Sequence, residues 1–301
     1  MTERIVRAAM TETRNAYQEM PSDPEQLRSL AGKLDDIRDA NVEYNCSLIA
    51  DAAQQGAQVI GLGELFTGPY FALTRDPMWR ALAECPENGP TVQRLRAVAA
   101  EHSIVVIAPI YERTLDDRYF NTAVVIDADG STCGKFRKVH IPQGSNEQGE
   151  FHEQFYYERS DGDLGNASGD RFFPVFTTRV AKVGVAICYD RHFPQSVATL
   201  AAGDAELIYS PAVTFGSKSE RMWALEFPTD ACRHRVFIGG SNRRGAEPPW
   251  DVSYFGGSYF VGPDGVATNV SEHEDLIIAD LDLASLTGPD PSGWDLARDR
   301  R

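Results

Sequence analysis

Apolar runs of strand length recur along the whole chain, and at two places they meet through a tight turn with no helix between them. Asp127-Ala128-Asp129-Gly130 leads "NTAVVID" into "STCGKFRK", and Pro263-Asp264-Gly265 sits inside "GGSYFVGPDGVATNV". Both read as hairpins. The other apolar runs, "RIVRAAM", "AQVIGLGELF", "IVVIAPI", "FFPVFTT", "KVGVAIC", "AELIYSP", "VFIGGSN" and "LIIADLDL", read as buried strands. Segments with helical apolar spacing separate several of them: "NVEYNCSLIADAAQQG", "TVQRLRAVAAEHS" and "SERMWALEFPTDACRHR". A further helix opens at Pro194 and stops at Gly203. Interleaved strands and helices imply sheets covered by helices. Strands paired directly by hairpins imply that each sheet is mixed. The two hairpins divide the chain into two similar halves, so the expected fold is an α/β protein with two mixed sheets face to face and helices outside, an α-β-β-α sandwich. No shift in composition marks a boundary, so residues 1–301 read as a single domain, with 285–301 as a C-terminal tail.

Composition narrows the function. The 301 residues carry 29 Lys and Arg against 44 Asp and Glu, a formal charge of −15. Nucleic-acid binders neutralise phosphates with clustered cations, so that class is disfavoured. "MTERIVRAAM" has no apolar h-region, and no apolar run approaches the roughly 20 residues that span a bilayer. The five cysteines form no Cys-x-x-Cys pair. They read as reduced thiols of a cytoplasmic protein rather than as disulfides or a zinc site. No metal site is expected, since no histidine pair at i, i+4 has a third ligand in view. There is no phosphate loop, and no membrane partner is expected.

Three strand ends break the rule that a buried run should end quietly. "GVAICYDRHFP" ends on Cys188, followed by Tyr189, Asp190, Arg191 and His192. A thiol placed between a strand and a helix N-terminus is expected to favour thiolate. Free cysteines are more often small buried hydrophobes. That reading serves Cys46, Cys85, Cys133 and Cys232, but the polar cluster beyond Cys188 argues against it there. "GLGELFTGPYF" ends on Glu64, where Gly61 and Gly63 allow close backbone approach. A carboxylate partly buried under Phe66, Tyr70 and Phe71 suits a general base; the bland alternative is a strand-end acid in a polar loop. "GKFRKVHIP" carries Lys135, Arg137 and Lys138, which would ordinarily be a solvated hairpin end. Strand alternation puts Phe136 and Lys138 on one face and Arg137 on the other, so Lys138 is the cation expected to point inward. Its partner would be Glu64 or a reaction oxyanion. A Cys–His dyad using His192, His140, His152 or His234 is the competing arrangement.

"GELFTGPYF", "KFRKVHIP" and "GVAICYDRHFP", in this order, resemble the three signature segments of the nitrilase superfamily of carbon–nitrogen hydrolases. The resemblance runs from "RIVRAAM" to "GWDLARDRR". It implies the same α-β-β-α sandwich, with Glu64 as general base, Lys138 as oxyanion-stabilising cation and Cys188 as nucleophile. The Tyr189 N–H would complete the oxyanion hole. A second glutamate of the family lies between the lysine and cysteine motifs. In "FHEQFYYERSDGD" Glu153 matches it, with Glu147, Glu150 and Glu158 as neighbouring competitors. The resemblance also implies that no cofactor is required and that the chain forms a homodimer or larger homo-oligomer.

For the substrate, Arg191 can grip a carboxylate through parallel hydrogen bonds, or it can pair with Asp190 or a loop acid. Arginine in this segment resembles hydrolases of N-carbamoyl amino acids, and several stretches look most like the β-ureidopropionase branch. Tyr70 and His192 are further candidate substrate-binding residues. The expected reaction is hydrolysis of an N-carbamoyl amino acid, such as N-carbamoyl-β-alanine, to amine, carbon dioxide and ammonia. The alternatives are an N-carbamoylputrescine, aliphatic amide or nitrile hydrolase and, more distantly, a noncatalytic scaffold. Departures around 143–150, 158–171, Gln195 and "SPAVTFGS" bear on which substrate fits.

Overall fold

The computed structural model describes residues 3–165 and 169–287, with positions 293, 296 and 299 beyond them. Most of the tail expected at 285–301 lies outside the described residues, as do positions 166–168 of the acidic loop. Strands β1 (Ile5–Thr11), β2 (Val59–Gly61), β3 (Val105–Arg113), β4 (Tyr119–Ile126) and β5 (Thr132–Arg137) come first, then a small hairpin of β6 (Gly144–Asn146) and β7 (Gly149–Phe151). The second half brings β8 (Val175–Thr177), β9 (Lys182–Val185), β10 (Leu207–Pro211) and β11 (Phe237–Ser241). A second small hairpin, β12 (Arg244–Ala246) and β13 (Ser253–Phe255), precedes β14 (Tyr259–Gly262), β15 (Gly265–Val266) and β16 (Leu276–Asp282). The helices are α1 (Leu34–Gln54), α2 (Pro90–His102), the single turn α3 (Glu153–Tyr156), α4 (Pro194–Ala202) and α5 (Ser217–His234).

The two large sheets run β16-β1-β2-β3-β4-β5 and β15-β14-β11-β10-β9-β8. Each has three parallel strands at its centre, β1-β2-β3 and β9-β10-β11, flanked by antiparallel neighbours. Each therefore is mixed, and each ends in one of the expected hairpins, β4-β5 or β14-β15. The halves differ in one respect. The second sheet takes all its strands from residues 175–266, whereas the first is completed by β16 from the far end of the chain.

Strands covered on both faces read as continuous apolar runs, and alternation assigns each side chain to a layer. Ala8, Met10, Val105, Ile107, Ala123 and Val125 face the second sheet. Ala9, Val106, Ala108, Ile110, Val124 and Ile126 face outward, where α1 and α2 cover them with Val42, Leu48, Ile49, Val92, Leu95 and Val98. On the other side α4 and α5 contribute Val197, Leu200, Trp223, Phe227 and Ala231. The α-β-β-α order follows. The sheets approach closely at Gly61, where an added Cβ would stand 2.0 Å from the Tyr209 ring. Gly61 thus fulfils the expected close approach. Gly63 does not, since the nearest atom to a Cβ there would be 4.0 Å away.

Local boundaries depart from the sequence pattern. Helix α1 begins at Leu34, because Leu34 and Ile37 already bury the helix face. The run "AQVIGLGELF" keeps only three residues in the sheet before the chain turns.

Candidate active site

The chain leaves the parallel strands on one rim of the sandwich, the usual location of ligand sites in α/β sheets. Glu64 follows β2, Cys188 follows β9, and Val213 follows β10. Lys138 follows the edge strand β5, and Glu153 opens α3. The four candidate catalytic side chains, Glu64, Lys138, Glu153 and Cys188, converge there. Lys138 and Glu64 are fully buried, Glu153 and Cys188 nearly so.

Lys138 is the hub. Its Nζ donates to Glu64 Oε1 at 2.8 Å and to Glu153 Oε2 at 2.7 Å. Alternation delivered it as expected: Phe136 packs between the sheets and Arg137 points the other way. Arg137, however, is not solvated. It is itself buried, with its fork on Glu112 at 2.6 and 2.9 Å. Of the four acidic candidates in 147–158, only Glu153 meets Lys138. Glu147 accepts from Ser217 N–H, Glu150 is exposed beside His152, and Glu158 pairs with Arg118.

Glu64 is held at both oxygens. Asn121 Nδ2 donates to Oε1 at 2.7 Å, and Val213 N–H donates to Oε2 at 2.6 Å. The carbonyl of the same Val213 lies 3.9 Å from Cys188 Sγ, so one residue stands between the Glu64 carboxylate and the thiol. Phe66, expected over Glu64, instead packs in the outer layer, while Tyr70 stays with the site. Tyr70 donates from its hydroxyl to Glu153 Oε1 at 2.9 Å.

Cys188 has φ of +49°, a left-handed conformation that a non-glycine residue adopts only when its surroundings impose it. The turn is fixed by Asp190. Its Oδ2 accepts from Ile187 N–H at 3.2 Å, and its Oδ1 accepts from His140 N–H at 2.9 Å. The expected drift toward thiolate is overturned. Burial, helped by the charge of Glu64, pushes the Cys188 thiol up to about 12, against the pull of Lys138 and Arg191. Desolvation is the largest of these effects, so it favours the neutral thiol over thiolate at Cys188. Burial and the Glu64 charge also push the Glu153 carboxyl up, although Lys138 opposes them. Burial alone would lower the Lys138 ammonium, but Glu153 and Glu64 outweigh it and hold it well above its usual value.

A cavity of about 100 Å³ lies over Cys188, lined by Tyr70, Glu153, Tyr189, Arg191, His192, Thr214 and Phe215 among others. It shares Asn146, Phe151, Tyr189, His192, Phe215 and Ser219 with an adjoining chamber of about 430 Å³, whose wall adds Glu147, Lys218 and Glu226. Glu64 and Lys138 line neither chamber. Asn146 and Phe151 of the β6-β7 hairpin line both chambers. The described part of 158–171 does not line the cavity; its Asp161 binds Arg118 and Arg137.

Arg191 reaches the cavity but is largely engaged. Nη1 donates to the Cys188 carbonyl at 2.8 Å and lies 3.9 Å from Sγ. Nε lies 3.3 Å from Glu226 Oε2, and Nη2 is 3.5 Å from Thr214 Oγ1. Its partner acid is thus Glu226 rather than Asp190. His192 also faces Glu226, with Nδ1 at 2.6 Å. His140 pairs with Asp190 and His152 with Gln143. The sulfur's neighbours are Val213 and Arg191, which gives a Cys–His dyad no support.

Sequence reasoning missed Asn121, Val213, Thr214 and Glu226. Asn121 carried a signal, a polar residue at the head of a buried strand on the same face as Lys138. Val213 acts through its backbone and carried none. Glu226 was hidden in a helix rich in charge.

The carbon–nitrogen hydrolase family profile matches residues 32–288. The chain is 32% identical over 298 residues to a β-ureidopropionase of Arabidopsis thaliana, covering 93% of this chain and 67% of that protein. It is also 32% identical over 281 residues to an N-carbamoylputrescine amidase of the same plant, covering 89% of each. A carbon–nitrogen hydrolase structure from Helicobacter pylori G27 superposes with TM-score 0.79 at 24% identity, covering 99% of this chain and 96% of that one, a likeness of fold. The chain belongs to the carbon–nitrogen hydrolase family. It is a hydrolytic enzyme acting on amides, in a family whose mechanism is typically cysteine-dependent.

Proposed function

We propose that this enzyme hydrolyses N-carbamoyl amino acids of short chain, with N-carbamoyl-β-alanine as the reference substrate. The observation that carries the reading is Arg191, a guanidinium at the wall of a small chamber directly over the Cys188 thiol. A carboxylate reaching it would accept from Nη2 and Thr214 Oγ1, whose contact with each other is only 3.5 Å. The roughly 100 Å³ of the inner chamber favours a short acid. The names of the two plant relatives, β-ureidopropionase and N-carbamoylputrescine amidase, agree on a carbamoyl head group and differ on the tail.

The chemistry runs in two halves. Glu64 takes the thiol proton as Cys188 sulfur attacks the ureido carbonyl. This coupling is needed because the resting thiol is neutral. Lys138 spends two of its three N–H donors on Glu64 and Glu153 and turns the third to the oxyanion, together with the Tyr189 N–H. The tetrahedral adduct collapses, the C–N bond breaks, and Glu64 returns its proton to the departing ammonia. A carbamoyl thioester remains. Glu64 then takes a proton from water as it attacks, Glu153 orients that water or the substrate, and the C–S bond breaks with the proton returned to sulfur. The carbamate released decays to amine and carbon dioxide.

A second reading has an observation of its own. Glu226 already offsets the Arg191 charge, and Arg191 sits on the Cys188 carbonyl. On that reading Arg191 supports the cysteine turn, and the tail is neutral or cationic. Ammonia release from N-carbamoyl-β-alanine, an N-carbamoyl-α-amino acid, N-carbamoylputrescine, an aliphatic amide and a nitrile decides between them. Preference for the carbamoyl acids supports the proposal. Preference for the diamine, amide or nitrile overturns it while keeping the cysteine chemistry.

A further inference from the structure

Glu64 stands on a sharp turn, residues 64–68, in which Leu65 has φ of +50°. Backbone carbonyls that would otherwise lie unpaired in the interior are gathered by one group from the opposite half of the molecule. Arg243 follows β11 and is nearly fully buried. Its Nη2 donates to the carbonyls of Gly68 at 2.7 Å, Leu65 at 3.0 Å and Glu64 at 3.3 Å. Its Nη1 donates to Glu247, also buried. Glu247 in turn accepts from Tyr70 N–H at 3.1 Å and from Asn15 N–H at 2.8 Å. The buried pair therefore grips both ends of the segment that carries the base and the cavity wall.

We propose that Arg243, anchored by Glu247, is a positioning residue for the general base: it fixes the 64–70 turn and so the placement of the Glu64 carboxylate relative to Cys188. The inference rests on the reading of Glu64 and Cys188 given above. Only a planar fork can serve three converging carbonyls and a carboxylate at once; an ammonium has fewer donors and no fixed plane. Glu247 is equally specific. Both of its oxygens face N–H donors, so the isosteric glutamine would turn an NH2 against one of them.

The test uses the full chain, with Arg243→Lys and Glu247→Gln compared with Glu64→Gln and the parent enzyme. Thermal unfolding is measured first, and kinetics are taken well below each midpoint. Displacement of a reacting group by an ångström costs on the order of 100-fold. Both variants are therefore expected to lose about 10- to 100-fold in kcat, with KM moving much less. Alkylation of Cys188 by iodoacetamide gives a second readout. Misplacing the base slows it in parallel with kcat, whereas mere loosening of the fold opens access and speeds it. Parent-like kcat, or faster alkylation, in a folded variant overturns the proposal. Should Arg243→Lys not fold, Glu247→Gln decides alone by the same criteria. Should Glu64→Gln itself keep turnover, the reading of the site has failed, which is distinguishable from failure of the clamp.

Discussion

Arg137 and Lys138 are adjacent in the chain, both cationic and both buried, yet they belong to opposite kinds of ionic cluster. Arg137 is saturated. Its fork holds Glu112, its third nitrogen reaches Asp161 at 3.0 Å, and its plane covers Phe120 at 3.8 Å. Lys135 adds a second cation to Glu112 at 3.1 Å. The outcome is electrostatic balance: burial pushes the Glu112 carboxyl up, but Arg137 and Lys135 outweigh it and hold it below its usual value. Lys138 is the reverse case, one ammonium facing two carboxylates beside a thiol, with Glu153 and Cys188 both pushed up. The difference teaches how to tell a structural ion pair from a reactive one in the same interior. The first leaves each charge satisfied. The second, on the proposed function, leaves protons poised to move and a third Lys138 N–H for the oxyanion.

The comparison breaks most visibly in turnover. Cys188→Ala should abolish it, and Lys138→Met should lower kcat by about 100- to 1,000-fold, the usual cost of removing an oxyanion donor. Arg137→Met should instead cost roughly 3–5 kcal/mol in urea unfolding, with kcat per folded molecule within a few-fold of the parent. Equal effects on kcat would erase the distinction between the two cations.

Next comes substrate selection, which asks whether the reactive cluster has a dedicated neighbour. Arg191→Gln should raise KM for carbamoyl acids by about 10-fold or more, as expected for a hydrogen bond to a charged group, and leave a neutral amide unchanged. An equal loss on both substrates would assign Arg191 to the turn rather than to the substrate.

The pH dependence of stability should carry opposite signs in the two clusters. Glu112 has a depressed folded value, so its contribution is present above the unfolded reference of 4.5 and is lost as pH falls through the folded value. Glu153 has a raised folded value, so its contribution is present below 4.5 and is lost as pH rises through the folded value. Glu112→Gln should therefore lower the melting temperature at pH 7, and Glu153→Gln should raise it. Both differences should close in acid. Melting curves run from pH 7 down to well below the 4.5 reference, since the Glu112 contribution is lost only beneath it, check this, and like signs at pH 7 would count against the contrast. The smallest effect is expected from Tyr70→Phe, which removes one hydrogen bond to Glu153. It should cost about 1 kcal/mol, or roughly fivefold in kcat/KM.

Much of this was legible because the candidate catalytic groups sit where the chain leaves the sheets. Cys188 and Glu64 stood out as polar ends of apolar runs, and strand alternation alone separated Lys138 from Arg137. What stayed hidden came from pairing across the sequence. Arg137 looked solvated because Glu112 and Asp161, which bury it, lie far away in the chain. Helix α1 looked shorter because Leu34 and Ile37 sit among acids and their burial depends on the tertiary neighbours. The thiol was misjudged because a helix terminus can be read locally, whereas the desolvation that outweighs it is a property of the packed interior. Val213 offers only its peptide group, which no side-chain pattern reports.

The closing of the first sheet by β16 bears on how the chain is made. Thr11 pairs with Leu276 and Ile5 with Asp282, so β1 has no partner on that edge until nearly all of the described chain has been synthesised. The second sheet needs only strands from one continuous stretch and can zip as it emerges from the ribosome. The half translated first is thus the half finished last. Until β16 docks, the nascent protein presents an unprotected apolar edge, the kind that invites intermolecular pairing. The layer bearing Glu64 and Lys138 is thus completed only when the two ends of its sheet meet, and chaperone demand should be concentrated in the interval before they do.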